Sequence, residues 1–371
     1  MLTMASPVID DVQALNIGVL TFHSCINYGS YWQSRCLVEG LRSRGHRVVL
    51  LDHHSPRIQR IEWRCALQPV LSSAAARDDL PLYAQKTRKF LSAAAALPSS
   101  RRFLLEDPRD IEDFDVVVVG SDEVWNFAHP WYGHQPLFFG QGLRAPRLVS
   151  YAASFGNYAA ERGLPQTWAA MLGNFRNLSV RDENSSALVH GATGTRPALV
   201  LDPCLQFPSE VGHGHTPLPV RATRYVAVYG HDFSARFASR VRAWADRRRV
   251  RLVSIGYRND WCDVQWIAAG PLDFARFMSQ ATAVATNFFH GCVFALRHQR
   301  PFVCEDTAYR AVKVRGLMSM LGADGRRLGP QSTDAECDEC LCEAPSAELQ
   351  AKLSVLRSAS TVYLDAALSP T

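Results

Sequence analysis

Lysine is scarce in this 371-residue chain: four residues, against 36 arginines, with a formal net charge of +5. The arginines are scattered, and no run is longer than Arg247-Arg248-Arg249. A nucleic-acid footprint gathers its positive charge on one face or in one segment, so that class of partner is set aside. A small anionic substrate suits scattered arginine just as well. No run approaches 18 consecutive apolar residues, so no transmembrane helix is expected. The opening MLTMASPVIDDVQAL has acids where a secretory signal needs a basic region and an apolar stretch, which makes the cytoplasm the expected location. Charged residues are 20% and hydrophobic ones 47%, which excludes a disordered chain. Walker A, GxGxxG, HExxH and GxSxG patterns are all missing, which argues against P-loop, dinucleotide, zincin and serine-hydrolase chemistry.

Ten cysteines in a cytoplasmic chain are expected to be reduced and to pack as small hydrophobes. One cluster stands out, Cys337, Cys340 and Cys342. A structural zinc site needs four ligands at recognisable spacing, and no second CxxC or HxxxH completes this one. It reads as a surface loop with acidic flanks, and His213 with His215 reads the same way. No metal is expected.

What is present is an alternation of apolar runs and helical periodicity. Residues 17–22 form a buried strand, Trp32, Cys36, Leu37, Gly40 and Leu41 repeat at helical spacing, and 46–52 is the next strand, so the chain opens with a strand–helix–strand unit. Further strands are predicted at 115–122, 147–156, 178–182 and 198–205. A Gly/Pro/His-rich stretch, 207–223, lacks periodicity and reads as a linker. The alternation resumes with strands at 224–230, 251–257 and 283–287. The expected fold class is therefore α/β, with two Rossmann-like domains facing a cleft. Their bounds are 1–206 and 224–344, followed by a C-terminal helix in 345–371 that is a candidate to pack back on the first domain.

In parallel α/β sheets, ligands bind beyond the carboxyl ends of strands. The residues there are Asn27, Tyr28 and Gly29, then Ser121, Asp122 and Glu123, then Arg181, and finally Asn287, His290 and Gly291. His290 opens a helix, where backbone N–H groups favour an anion, and imidazole titrates in the range needed for proton transfer. Its bland alternative is a capping or buried structural histidine. The Arg181 fork suits carboxylate or phosphate, with an ion pair to Asp182 or Glu183 as the alternative. Asn27-Tyr28-Gly29 gives a tight turn that a ligand could approach. Asp122 could cap a helix or hold a hydroxyl, and Glu123 could be an acid, a base or a structural partner.

Taken in order, GVLTFHSCINYGSYWQ (18–33), VVVVGSDEVWN (116–126), SYAASFG (150–156), SVRDENSS (179–186), LDPCL (201–205) and TNFFHGCVFALRHQRPFV (286–303) resemble the polysaccharide pyruvyl transferase family. The resemblance implies a fold similar to the GT-B glycosyltransferases. It also implies transfer of a pyruvyl group from phosphoenolpyruvate to sugar hydroxyls, usually as a cyclic ketal, with release of phosphate and no cofactor. Arg181 would grip phosphoenolpyruvate, His290 would be the acid/base, and Asn27–Gly29 would line the cleft. Two positions depart from the family pattern, with Glu123 at the usual Gln and Phe288 at the usual Ser. An added carboxylate opposes phosphoenolpyruvate unless it is protonated or faces the acceptor. The partners expected are phosphoenolpyruvate and a sugar or glycan acceptor, with a peripheral contact at the inner membrane face if that acceptor is lipid-linked. The alternatives are a nucleotide-sugar transferase on the same scaffold and a non-catalytic binding subunit of a polysaccharide assembly complex.

Overall fold

Ile17–Leu20 and Val116–Val119 are uninterrupted buried runs, and a strand apolar at every position belongs in a sheet covered on both faces. The computed structural model describes residues 14–69, 77–207, 224–307 and 311–369. Its first half runs β1 (Asn16–Leu20), α1 (Tyr28–Arg42), β2 (Arg47–Leu50), β3 (His53–His54), α2 (Pro56–Leu67), α3 (Leu80–Ala95) and β4 (Phe103–Leu104). Next come β5 (Val116–Val119), β6 (Leu148–Ser150), α4 (Gln166–Leu172), β7 (Ser179–Val180), α5 (Glu183–Thr193), β8 (Ala198–Leu199) and α6 (Pro203–Gln206). The second half runs β9 (Tyr225–Tyr229), α7 (Ala235–Arg248), β10 (Arg251–Ile255), β11 (Val264–Trp266), α8 (Pro271–Gln280), β12 (Ala283–Thr286) and α9 (Phe289–Arg297). It closes with β13 (Phe302–Glu305), α10 (Ala311–Leu321), β14 (Arg327–Leu328), α11 (Asp334–Cys342) and α12 (Ala347–Leu368).

Each half is built on a parallel sheet, ordered β2-β1-β5-β6 in the first and β11-β10-β9-β12-β13-β14 in the second. In both orders the chain first winds outward to one side and then to the other. The reversal falls between β1 and β5 in one sheet and between β9 and β12 in the other. Such a switch point leaves a crevice beyond the strand ends, because the flanking loops part in opposite directions. The loops after β1, β5 and β12 hold motifs singled out above, and Arg181 follows β7.

The halves meet through a shared apolar core in which Trp32 and Phe90 of the first pack with Tyr229, Phe274 and Phe294 of the second. Polar contacts also cross this interface: the Trp32 Nε1–H donates to the Pro271 carbonyl at 2.8 Å, and Lys89 pairs with Asp273 at 2.7 Å. The C-terminal helix does return to the first half. Leu364, Ala367 and Leu368 of α12 pack among Ile17, Val48 and Val116, and the Leu201 N–H donates to Ser360 Oγ at 2.9 Å. Among the described residues no helix is long and apolar enough to cross a membrane.

One expectation is overturned. Cys337, Cys340 and Cys342 do not form a surface loop. They lie on α11, with Cys337 and Cys340 buried against Trp244 and Val241. The cause is a capping box: the Glu336 N–H donates to Thr333 Oγ1, and the Glu336 carboxylate accepts from the Thr333 N–H, which fixes the helix start. Most of the expected linker (208–223), with His213 and His215, lies outside the described residues.

Candidate active site

The two switch points face one cavity of about 360 Å³ between the halves. Asn27 reaches it from the loop after β1 and Ser30 from the first turn of α1, Asp122 and Glu123 from the loop after β5, and Arg181 from the end of β7. Phe288 enters from the turn between β12 and α9, Phe289 and His290 from the first turn of α9, and Lys313 from α10.

An ion network organises one end. Arg181 is buried, and its partners are not Asp182 or Glu183. Its Nη1 donates to Asp202 Oδ2 at 2.9 Å and to Ser121 Oγ at 3.4 Å, and its Nη2 donates to Asp122 Oδ1 at 3.3 Å. Asp182 is instead the N-cap of α5, accepting from the Ser185 N–H at 2.7 Å. The Arg181 guanidinium lies over the Phe289 ring, 4.7 Å from its centroid. Burial would raise the Asp202 carboxyl, but the neighbouring His290 and Arg181 hold it well below the usual carboxylate range. Asp122 behaves alike: burial opposes its ionisation, Arg181 and then His290 and Lys313 favour it, and the balance lies below the ordinary value. Asp122 also has φ +69°, a left-handed backbone that only Gly, Asn and Asp adopt readily, and it accepts from Ser30 Oγ at 2.8 Å. That conformation aims its carboxylate at both Ser30 and Arg181.

His290 is the second residue of α9, so the unpaired first-turn N–H groups of that helix lie beside it. Its Nε2 is 3.6 Å from Asp202 Oδ2, just beyond a hydrogen bond. Asp202, Cys204 and His290 could in principle hold a metal, since one ligand atom from each lies within 4.8 Å of the others. Both Asp202 oxygens are already engaged, however, by Arg181 and by the Cys204 N–H at 3.0 Å. The donor set therefore favours an ion-pair network that orients His290.

Gly29 explains why the turn after Asn27 must be glycine. A Cβ there would stand 2.0 Å from His290 Nδ1 and 2.5 Å from its Cγ and Cε1. Gly29→Ala is thus expected to leave the fold intact while pushing the imidazole aside. If His290 carries chemistry, kcat should fall roughly a hundredfold, as misplacement of a catalytic group by about an ångström does. Kinetics alongside a thermal melt would check this, and full activity in a correctly folded variant would contradict it.

The polysaccharide pyruvyl transferase family model matches residues 27–308, more than half of the chain. The chain belongs to this family. A search of curated proteins finds no match. Among solved structures, the S. aureus MnaA–UDP complex aligns with a TM-score of 0.53 at 11% identity over 94% of each chain. A putative UDP-N-acetylglucosamine 2-epimerase from Listeria monocytogenes aligns at 0.51 and 12% over 95% of each. UDP-GlcNAc 2-epimerase from Neisseria meningitidis, bound to UDP-GlcNAc, aligns at 0.50 and 11% over 94% of this chain and 98% of that one. At such identities the likeness shows the fold alone: two Rossmann-like domains, GT-B-like, as expected.

For this pyruvyl transferase family member the two departures now have surroundings. Glu123 is not alone. Lys313 pairs with its Oε1 at 2.8 Å and Asn126 donates to its Oε2 at 2.6 Å, and against burial the lysine holds the carboxyl below its ordinary range. The Lys313 ion pair thus favours the carboxylate form of Glu123. Phe288 occupies the N-cap position of α9, where a serine hydroxyl could cap and a phenyl ring cannot. Its ring instead meets Tyr229 and His231, at centroid distances of 4.9 and 5.3 Å.

Of the expected site residues, Asn27, Asp122, Glu123, Arg181 and His290 line the cavity together. Five others do not line it, and each makes contacts within the protein. Tyr28 stacks on Phe274, and its O–H donates to the Ala269 carbonyl at 2.7 Å, which ties the halves together. Ser121 is fully buried beneath Arg181, and Asn287 Nδ2 donates to the His231 carbonyl at 2.8 Å. Gly29 makes room for His290, and Gly291 lets α9 close on β12, since a Cβ there would meet Thr286 Oγ1 at 2.0 Å. Sequence reasoning missed Asp202, Glu62, Lys86 and Lys313. Glu62 lines the cavity from α2, accepts the Ile26 N–H at 2.8 Å, and has its carboxyl pushed up by burial to about 7.

Proposed function

We propose that this protein transfers the pyruvyl group of phosphoenolpyruvate to a pair of hydroxyls on a sugar, closing a ketal and releasing phosphate. The observation that carries the reading is the meeting of Arg181, Lys313, His290 and the α9 N-terminus at one end of a cavity built on both switch points. Fixed cations and N–H donors are what a substrate bearing both carboxylate and phosphate requires. The network is internally compensated, so the donor competes with Asp122, Asp202 and Glu123 for these cations, and its affinity should be moderate.

The chemistry asks two things of the residues. A proton must reach the methylene carbon, C3, so that C2 becomes electrophilic to the first hydroxyl. A second hydroxyl then attacks C2 as the C2–O bond to phosphate breaks. Two hydroxyl protons are consumed: one ends in the new methyl group, the other on the departing phosphate. His290 is the group we assign to deliver the first, and Glu123, paired with Lys313, is the group we assign to collect from a hydroxyl. The acceptor is proposed to be a glycan or lipid-linked glycan precursor. In the lipid-linked case the protein would work against a membrane face, its scattered arginines aiding contact.

Titration calorimetry with phosphoenolpyruvate and, separately, with UDP-N-acetylglucosamine tests the donor. The expected result is binding of the first and none of the second. The reverse would make the protein a nucleotide-sugar transferase.

A further inference from the structure

Lys86 lines the same cavity from α3, an element that carries none of the residues assigned above. It is 3% exposed, and its Nζ donates one hydrogen bond, to the Gly256 carbonyl at 2.8 Å. The ammonium otherwise meets aromatic faces, at 4.2 Å from the Tyr257 centroid, 5.4 Å from Tyr28 and 5.8 Å from Tyr83. Among the described residues no carboxylate pairs with it. The charged groups on the elements around α3 are engaged elsewhere: Asp79 with Arg258, Asp273 with Lys89, and Glu62 with the Ile26 N–H. Arg181 and Lys313 are answered by Asp122, Asp202 and Glu123, so among the described residues Lys86 is the cavity cation whose counter-charge is missing.

A buried ammonium without an anion is unfavourable, and burial pulls this one down to about 7. An anionic ligand group arriving there would supply the missing charge. In phosphoenolpyruvate the carboxylate and the phosphate oxygen are both attached to C2, so neither can be far from the carbon that His290 must serve. Lys86 Nζ lies against the Tyr257 ring, which in turn meets the Phe288 ring at 5.7 Å. Arg181, Lys313 and the start of α9 are the groups assigned to the donor's anions, which leaves Lys86, on a different element, for an anion on the second substrate.

We infer that Lys86 is an anion subsite for the acceptor, which carries a carboxylate or phosphate group near its reacting hydroxyls while Phe288 and Tyr257 flank its sugar ring. This rests on the transferase reading above. It also gives Phe288 a use, because a ring in place of the family's usual serine offers an apolar face beside Tyr257 in the same cavity.

With four lysines in the chain, protein labelled with ¹³C at lysine Cε gives four signals, and Lys86→Met identifies the one that matters. The probes are methyl β-glucuronide, glucose 1-phosphate and neutral methyl β-glucoside. In the wild type, the uronide, the sugar phosphate or both should raise the Lys86 midpoint by about one pH unit and bind about tenfold tighter than the glucoside. Which of them does so tells a carboxylate acceptor from a phosphate one. In Lys86→Met the preference should vanish while phosphoenolpyruvate affinity changes less than about twofold, the size expected where no contact is lost. Equal binding of all three probes with an unmoved midpoint would overturn the inference. So would phosphoenolpyruvate itself moving the midpoint and losing tenfold affinity in the variant, which would give Lys86 to the donor. If phosphoenolpyruvate failed to bind the wild type at all, the donor reading would fall, while the three probes would still report on Lys86.

Discussion

His290→Ala is expected to lower acceptor-dependent phosphate release by roughly a hundred- to ten-thousand-fold, the contribution of a positioned acid or base. The loss should fall on kcat far more than on phosphoenolpyruvate affinity, because Arg181, Lys313 and the α9 amides remain. Folding should survive, since Asp202 keeps both Arg181 and the Cys204 N–H when the imidazole is removed. Single-turnover kinetics beside a melting curve would show both. A variant with unchanged kcat would remove His290 from the chemistry and leave it as a structural neighbour of Asp202.

Arg181→Met should affect stability as much as activity. It leaves Asp122 and Asp202 buried without their shared cation, and breaking such a pair costs about 3–5 kcal/mol. The pH dependence follows from the direction of the shifts. Both carboxyls are held below their unfolded values, so their stabilising contribution is present above the unfolded carboxylate range and is lost as pH falls through the native one. Without Arg181 that contribution disappears at neutral pH, and the gap between variant and wild type should narrow as acid protonates both groups in each protein. Arg181→Lys keeps the charge but lacks the fork that spans two carboxylates, so an intermediate loss is expected. Urea unfolding from pH 2 to pH 8 would check this. A constant gap across that range would mean the destabilisation is packing rather than charge.

The parts of this architecture legible in the sequence are those decided locally. Val116–Val119 could only be an interior strand, and the polar residues after β1, β5, β7 and β12 had to lie at strand ends. The expectation that Asp122, Glu123, Arg181 and His290 share a site followed from that geometry, and the structure lines one cavity with all four. What stayed hidden depends on which way a helix faces. Lys86, Glu62 and Lys313 sit on helices, where nothing in the local pattern separates a residue facing a cavity from one facing water. Tyr28 follows a tight turn and could have faced either the cleft or the core; contact with α8 decides for the core. Asp202 lies outside the arginine's own neighbourhood in sequence and reaches it only because β8 runs beside β7. The α11 helix was readable, since Thr333 and Glu336 carry a capping-box spacing and the buried Cys337, Cys340 and Leu341 a helical one. The acidic residues around the thiols pointed to a loop instead.

The central claim is that the pyruvyl group of phosphoenolpyruvate ends on a sugar. Carbon-13 NMR with donor labelled at C3 follows it directly, using a panel of neutral and acidic glycans as acceptors. The account predicts that the vinyl signal converts to a methyl signal on the glycan, with one phosphate released for each ketal formed and neither product seen without an acceptor. Phosphate released without an acceptor, with the label recovered as free pyruvate, would contradict it and make the protein a hydrolase of its donor.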